Sequence, residues 1–547
     1  MAAAVATQDL VPAAPIPIAR PSRPPVNKWL VTVSITFGTL MGTIDSSIVN
    51  VALDHIRGTV GATIQEITWI ATGFAIASVL VMPLTAFLGR LFGQKRVYLA
   101  SLVIFLVGSA LCGLARTLPE LVIFRVIQGF GAGALQPTEQ AILRQTFPVK
   151  EQGMAMALFA LAIMVGPAVG PTLGGWIVDN YSWPWIFYIN LPVGALGIYM
   201  VSSFVHEPDD IREANKAMAA KQRKHMDWSG IALMSVGLAC LQYLLEEGDR
   251  KDWFDSSLIV GLAVVAFICL AGFVIRELTA EVPAVNLRLF KNKVYTAGTL
   301  IAALMFAMLM TVTFLLPVFM QELLGFNATQ SGLALMPRTL VMMVCIPIVG
   351  KLYNRIDPRI SVFVGLIFLT LAVWMMSDYT LATTAGGVVA SLLVQGLGFS
   401  FMMVPLQTVA FATIPRHQMT DATGLNSLLR QIGGSFGLAI FATLLGRYQV
   451  QARASLGAHV TATSALVQDR MQLMQGGMLA RGFDAVSAKA AAFGALYGQV
   501  SQQAAVLAFS KLFMLAVLCF IAVMPLAFFL KQPDDAEIER AEVHVEI

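Results

Sequence analysis

Charged side chains inside strongly apolar stretches are the residues of this sequence best suited to chemistry. Asp45, Arg125 and Glu139 lie in such stretches of the first half, and Arg338 and Arg430 lie in the second. A charge within a membrane costs about 2.5–3.5 kcal/mol on insertion scales, so each one needs a partner or a task. A buried carboxylate beside a mobile cation can bind and release protons. We therefore predict that Asp45 is the principal proton-coupling carboxylate, with Arg125 as its tuning partner and Glu139 next in line.

The same charges have a plainer interpretation. Asp45 and Arg125 would form a permanent ion pair that only holds helices together. Glu139 lies a few residues from Arg144, at the predicted cytoplasmic end of its helix, and would reach the membrane surface from there. Both interpretations stay open at the level of sequence.

The elements that carry these charges are membrane helices. The chain has 547 residues, of which 57% are hydrophobic and 12% charged, whereas a soluble domain carries about 25% charge. About 14 apolar stretches long enough to cross a bilayer follow one another from Trp29 to Leu530. Lys and Arg concentrate in alternate loops, on the side of the N-terminus, which predicts that both termini are cytoplasmic. The net charge of +4 follows from this topology and does not indicate nucleic-acid binding.

An internal repeat divides the chain. The sequence QGFG at Gln128–Gly131 returns as QGLG at Gln395–Gly398, as in secondary transporters built from two related halves. The predicted order is a cytoplasmic tail, a six-helix half, a cytoplasmic linker, an inserted helix pair, a second six-helix half and a second cytoplasmic tail, at residues 1–28, 29–205, 206–227, 228–276, 294–530 and 531–547.

Residues 447–507 form a long polar segment before the last apolar stretch, predicted to be a periplasmic loop. Loops of this length are either functional or disordered. We favour a helical hairpin or docking surface over a floppy loop.

Several other chemistries are excluded. Gly433, Ser435 and Gly437 match G-x-S-x-G, but a nucleophile elbow needs a strand-to-helix turn and a histidine partner. This match lies in an apolar helix, and no histidine falls in the interior of a predicted span. The sequence has no phosphate-binding loop of the GxxxxGK[ST] type, and its five cysteines lack metal-ligand spacing. We expect neither an enzyme nor a bound metal or cofactor.

Four motifs resemble a known family. They are LMGTIDSSIVNVAL around Asp45, FRVIQGFGAG with Arg125 and Gln128, WPWIFYINLPVG at 183–194, and VGPAVGPTLGG. The last motif carries the antiporter residues Gly166, Pro167, Gly170, Pro171, Gly174 and Gly175. Together they resemble the 14-helix drug:proton antiporters of the major facilitator superfamily, of the EmrB/QacA type and nearer to EmrB.

The resemblance implies an all-α major facilitator fold, with two six-helix halves and two inserted helices. It also implies proton-coupled efflux of amphipathic molecules by alternating access, from the bacterial inner membrane. EmrB-like exporters work with a periplasmic adaptor of the EmrA type and an outer-membrane channel, so these are the implied partners. A transporter of one specific metabolite and a polytopic sensor or scaffold remain alternatives.

An adaptable cavity wall is expected between the halves, since aromatic and Met side chains suit varied ligands. The predicted cavity residues are Phe37, Gln128, Gln136, Phe306, Phe314, Arg338, Phe401, Met402 and Arg430.

The gate is predicted to be asymmetric. After the second span, Arg90 stands where the family has an aspartate, which predicts a weak gate there despite the nearby Gly93. The second half keeps Gly350, Asn354 and Arg355, which we predict to be the dominant latch.

Overall fold

The computed structural model describes residues 27–530 except 149, 150, 208, 225, 354 and 462. Within this range all regular structure is helical. The two predicted tails lie outside the described residues, apart from residues 27 and 28. The first half comprises α1 Lys28–Val60, α2 Ile64–Ile67, α3 Trp69–Val81, α4 Thr85–Phe92, α5 Gln94–Leu114, α6 Leu118–Thr146, α7 Gln152–Asn180, α8 Trp185–Tyr188 and α9 Asn190–Phe204.

The rest of the chain follows the predicted order. The linker and insert form α10 Asp209–Lys224, α11 Trp228–Glu247 and α12 Ser257–Thr279. The second half comprises α13 Lys293–Glu322, α14 Ala328–Leu352, α15 Pro358–Ser377, α16 Ala385–Ala412, α17 Met419–His459, α18 Ala465–Ala480 and α19 Ala485–Val523, with a 3-10 helix at Met524–Phe529. The predicted linker is therefore largely an amphipathic helix, which packs on α4.

Thirteen helical segments of the described chain are long and apolar enough to cross a membrane. Helix α1 is not among them, because Asp45 and many Ser and Thr residues lower its hydropathy, yet its 33 residues exceed the roughly 20 that a crossing needs. With α1 the structure provides the fourteen spans that the sequence predicts.

The two halves pack in the same order. Helix α1 packs on α7 as α13 packs on α17, and the α5–α6 contact corresponds to the α15–α16 contact. The repeated motif explains part of this similarity in helix packing. Gly129 lies against α3 and Gly131 against α5, while Gly396 lies against α14 and Gly398 against α15. Small residues at these positions let helix backbones approach closely.

Residues 447–507 are helical over most of their length, which agrees with the helical hairpin favoured over a floppy loop. Most of the segment continues α17 and α19 as unbroken helices, and α18 bridges them. We call residues 447–507 the hairpin. Helical periodicity is weak in its sequence because no residue of α18 is buried, so no apolar stripe marks an inward face.

The inserted helix α11 spans the seam between the halves. It contacts both α3 and α17. Gln242 donates to the Ser435 hydroxyl over 2.9 Å, and the Trp253 indole, just beyond α11, donates to the Thr443 hydroxyl over 2.8 Å. We call the end of the bundle where α1 begins the termini side and the opposite end the hairpin side.

Candidate functional site

A buried ion pair sits in the first half. The Arg125 guanidinium donates to Asp45 Oδ2 over 2.6 Å, and both side chains are buried. Asp45 Oδ1 accepts from Gln128 over 2.8 Å and from Asn190 over 2.9 Å. Both carboxyl oxygens of Asp45 therefore have hydrogen-bond donors, and the one from Arg125 is charge-assisted. The structure thus brings together Asp45, Arg125 and Gln128 from the predicted set.

The surroundings of Arg125 fix its position. Its Nε donates to the Ile70 carbonyl over 3.3 Å, and its guanidinium lies 4.2 Å from the Phe74 ring centroid. Asn190, which orients Asp45, also donates to the Ser109 hydroxyl over 3.0 Å. No role was predicted from the sequence for Asn190 or Ser109. The signal for Asn190 was its place in the motif INLPVG, whereas nothing in the sequence marks Ser109.

Glu139 has a different environment. It is 0% exposed, and none of the ion pairs formed by the described residues includes it. One carboxyl oxygen accepts from the Thr36 hydroxyl over 3.3 Å, and the other has no partner among the described residues. A buried carboxylate without a cation is costly, so the environment of Glu139 differs from that of Asp45, which is paired with Arg125.

The sequence suggested that Arg144 lies at the membrane surface, but the structure buries it. It is 1% exposed and crosses to α16, where it donates to the carbonyl of Gln407 and, over 2.6 Å, to that of Thr408. Its guanidinium lies 5.0 Å from the Phe411 ring centroid. Because Arg144 is engaged by the other half, the surface route proposed for Glu139 is wrong.

A second polar cluster bridges the halves near the middle of the bundle. Arg430 of α17 donates to Gln136 of α6 over 2.8 Å, and its guanidinium lies 5.4 Å from the Phe306 ring centroid. Arg430 Nη1 is buried without a partner among the described residues. Three of the predicted cavity residues therefore meet at this seam, with a free donor.

Arg338 lies deeper in the second half. It donates to Gln395 over 3.3 Å and to Thr313 over 3.4 Å. It also lines a small cavity together with Pro167 of α7. Arg338 therefore faces the seam between α7 and α14.

Four predicted cavity residues are not part of these clusters. Phe37 lies against Gly197 of α9, Phe401 stacks on Phe368 of α15, and Met402 lies against Gly365, also of α15. These three pack within one half, which corrects the prediction, because residue type alone does not reveal the direction of a side chain. Phe314 is 44% exposed and makes none of the described ring contacts.

The antiporter motif forms a glycine ridge on α7. A Cβ placed on Gly166, Gly170 or Gly174 would lie 2.4–2.7 Å from Thr43, Ser47 or Ile48 of α1. The ridge thus lets α1 approach α7 at backbone distance on both sides of Asp45 along the chain. Pro171 is half-buried on the same helix.

Substituting one glycine of this ridge should separate α1 from α7. We expect Gly166→Val to destabilise the protein by about 1–3 kcal/mol, as overpacking does, and to impair transport by displacing α1. Gly175→Val is the matched control, because a Cβ there meets nothing within 4 Å. Thermal unfolding of the two purified variants checks this, and equal melting temperatures would contradict it.

The termini side is held by a charge pair that the sequence analysis missed. Arg90 Nη1 donates to both oxygens of Asp421, at the start of α17, over 2.7 and 2.9 Å. Its Nε donates to Gln222 of α10 over 3.2 Å, and Gln94 donates to the Thr420 hydroxyl over 2.7 Å. We call the Arg90–Asp421 pair the latch. Gly93 joins α4 to α5 with a φ of 88°, which favours glycine.

The second-half latch predicted from sequence is wrong at Arg355. Its side chain is exposed and makes none of the described ion pairs or hydrogen bonds. Asn354 lies outside the described residues. Gly350 approaches α7 closely, since a Cβ there would lie 2.8 Å from Ala157 Cβ.

The hydrogen bonds joining the two halves are concentrated at the middle and the termini side, so the termini side is closed.

Known proteins share this sequence pattern. Residues 35–438 match the family described as the Major Facilitator Superfamily. The multidrug export protein EmrB of Haemophilus influenzae is 33% identical over 514 residues, which cover 92% of this chain and 96% of that protein. The fatty acid resistance protein FarB of Neisseria gonorrhoeae is 31% identical over 504 residues, with the same coverage.

Solved structures share the fold. The human organic anion transporter MFSD10 superimposes with a TM-score of 0.54 at 15% identity, covering 91% of this chain and all of that one. The proton:xylose symporter XylE gives a TM-score of 0.57 at 13% identity, covering 90% and 95%. At these identities the likeness concerns the fold alone.

Proposed function

The chain belongs to the major facilitator superfamily, among the multidrug efflux transporters of the EmrB type, and from this we propose that it exports amphipathic molecules in exchange for protons. It is a multi-pass membrane transporter and not an enzyme. The observation that carries the proton coupling is Glu139, which is fully buried and forms no ion pair with any of the described residues.

The two carboxyl groups have different tasks in this proposal. Asp45 stays paired with Arg125 and holds the first half in shape, whereas Glu139 carries the exchanged proton. In the closed conformation Glu139 is neutral. When the termini side opens, water and solvated cations reach Glu139. The free-energy cost of ionising its carboxyl group then falls, and the proton leaves. This reverses the order predicted from sequence, in which Asp45 came first.

The seam between the halves supplies the substrate site. Arg430, Gln136 and Phe306 present a cation, an amide and an aromatic ring at one place, and Met310 lies beside them at Gly434. Such a mixed lining suits molecules with an apolar body and a polar end. The names of the relatives, which refer to multidrug export and to fatty acid resistance, agree with this class.

The orientation follows from charge. We assign the termini side to the cytoplasm of a bacterial inner membrane, because Lys and Arg concentrate on that side. The hairpin then stands in the periplasm. The latch and Arg144 close the cytoplasmic side, and alternating access requires both to separate.

The hairpin presents apolar side chains that the described part of the chain leaves uncovered. Leu466 and Leu473 are 82% and 71% exposed, and Val486 at the start of α19 is 79% exposed. Residues 466 and 473 share one face of α18, since they are seven positions apart. Exposed apolar patches mark interaction sites, and we assign this one to a periplasmic adaptor of the EmrA type that leads to an outer-membrane channel.

Substituting Leu466 and Leu473 together by serine should disconnect the adaptor. We expect the double variant to lose drug resistance in cells that produce the adaptor and to retain transport in proteoliposomes, which contain no adaptor. Asp469→Asn with Arg470→Gln changes exposed polar residues of the same helix and serves as the control. Full resistance of the double serine variant would contradict the docking assignment.

The proposed function as a whole is tested with ethidium in proteoliposomes under an imposed pH gradient. Uphill ethidium transport that an uncoupler abolishes is the expected result. Transport of a single metabolite with no ethidium transport would favour a specific transporter, and no transport of either would favour a sensor or scaffold.

A further inference from the structure

The hairpin encloses a cleft that no part of the transport cycle above uses. It lies between α18 and the extensions of α17 and α19, and its volume is about 820 Å³. Pockets of about 300–1,000 Å³ are typical of small-molecule sites. The cleft is therefore large enough to hold a complete amphipathic molecule.

The lining of the cleft is apolar over most of its length. Val460, Val467, Met471, Phe493 and Leu496 form this part. Residues 467 and 471 are four positions apart on α18 and face the cleft, whereas Leu466 and Leu473 are not among its lining residues. The apolar lining of the cleft is thus separate from the surface that we assign to the adaptor.

The charged side chains that line the cleft are all basic. Arg453 and Lys489 line it, and none of its lining residues is acidic. Arg453 Nη1 donates to the Tyr497 hydroxyl over 2.9 Å, which holds the guanidinium in place, while its Nε is buried without a partner among the described residues. An arginine with a free donor beside an apolar lining is suited to an acidic head group with an attached chain.

We propose that this cleft binds an exported amphiphile with one acidic head group and a hydrocarbon chain, as a second site on the periplasmic side of the transport path. The proposal rests on the export function proposed above. Arg453 and Lys489 bind the carboxylate, and Met471, Phe493 and Leu496 cover the chain. The cleft thereby shields the hydrocarbon chain of the exported molecule from water after that molecule has left the seam between the two halves of the protein.

Photo-crosslinking tests the site directly. The full-length protein in lipid nanodiscs is irradiated with a palmitic acid analogue that carries a mid-chain diazirine, and crosslinked peptides are identified by mass spectrometry. We expect crosslinks within residues 447–507 and a severalfold weaker signal for the methyl ester of the same probe. Unlabelled palmitate should compete.

Two variants give the decisive comparison. Arg453→Gln with Lys489→Gln should reduce crosslinking to the hairpin at least about tenfold, as expected when charge-assisted hydrogen bonds worth about 1.5 kcal/mol or more are lost. Arg481→Gln, an exposed cation outside the cleft, should leave it unchanged. Crosslinking that is absent from the hairpin, equal for acid and ester, or insensitive to the double variant would overturn the proposal.

The experiment distinguishes a failure of the cleft proposal from a failure of the export proposal. Ethidium, a cation, should be exported equally by the wild type and the double variant. If neither transports ethidium while the acid probe still crosslinks to the hairpin, the export proposal fails, and the cleft is a binding site for acidic amphiphiles but not a second site on a transport path. If both transport ethidium and no hairpin crosslink forms, the cleft proposal fails alone.

Discussion

Glu139→Gln is expected to abolish pH-driven export while leaving exchange of substrate for substrate intact. Glutamine has nearly the same size as glutamate and keeps an oxygen that can accept from Thr36, but it cannot bind or release the exchanged proton. Counterflow needs only the movement of loaded transporter, so it should continue. Both rates are measured with labelled substrate in proteoliposomes, with and without a pH gradient.

Asp45→Asn gives the necessary comparison. It leaves Arg125 as a buried unpaired cation, and breaking such a pair costs about 3–5 kcal/mol. We therefore expect less folded protein and a loss of both pH-driven transport and counterflow. If Glu139→Gln retains full pH-driven export, the proton site lies elsewhere, and a purified Asp45→Asn protein that shows counterflow without pH-driven export would assign it to Asp45.

Breaking the latch should open the termini side. The side chains of Arg90 and Asp421 are 12% and 6% exposed, so losing one partner leaves the other largely buried and costs about 3 kcal/mol or more. If that cost falls on the closed conformation, the ratio of closed to open molecules drops by roughly 100-fold. Arg90→Asp or Asp421→Arg should each produce this shift.

The exchanged pair provides the control. Arg90→Asp combined with Asp421→Arg restores opposite charges and should recover closure in part, although the contact between Arg90 and Gln222 is lost. Closure is measured by how fast a membrane-impermeant thiol reagent reaches Ala422→Cys in a protein without the five native cysteines. Arg355→Ala should have no effect. Equal labelling of the single and exchanged variants would remove the latch from the mechanism.

The sequence was most informative where the pattern is local. Apolar length predicted the spans, and QGFG and QGLG predicted the repeat because small residues must lie where helices cross. The motifs also named Asp45 and Arg125, which the structure joins. Asp421 was not found, because it lies 331 positions from Arg90, and each charge alone looks like an ordinary residue at the membrane surface.

The direction of side chains and the continuity of helices were harder to predict from the sequence. Phe401 and Met402 are apolar residues on a helix that is largely buried, so composition does not say whether they face α15 or the seam. Glu139 and Arg144 are close in sequence, yet each has its partners on a different helix. The sequence left a helical hairpin and a floppy loop both open for residues 447–507, because α18 has no buried face and such a helix leaves no periodic signal.

The continuity of α17 also has a mechanical consequence. Its 41 residues form a rod of about 60 Å at 1.5 Å per residue, of which one end carries Asp421 and the other carries Arg453 in the hairpin. A tilt of the second half about the membrane centre must therefore swing the hairpin in the opposite direction to the latch. The hairpin thus works as the long arm of a lever, and a protein docked on it would receive one stroke for each opening of the termini side.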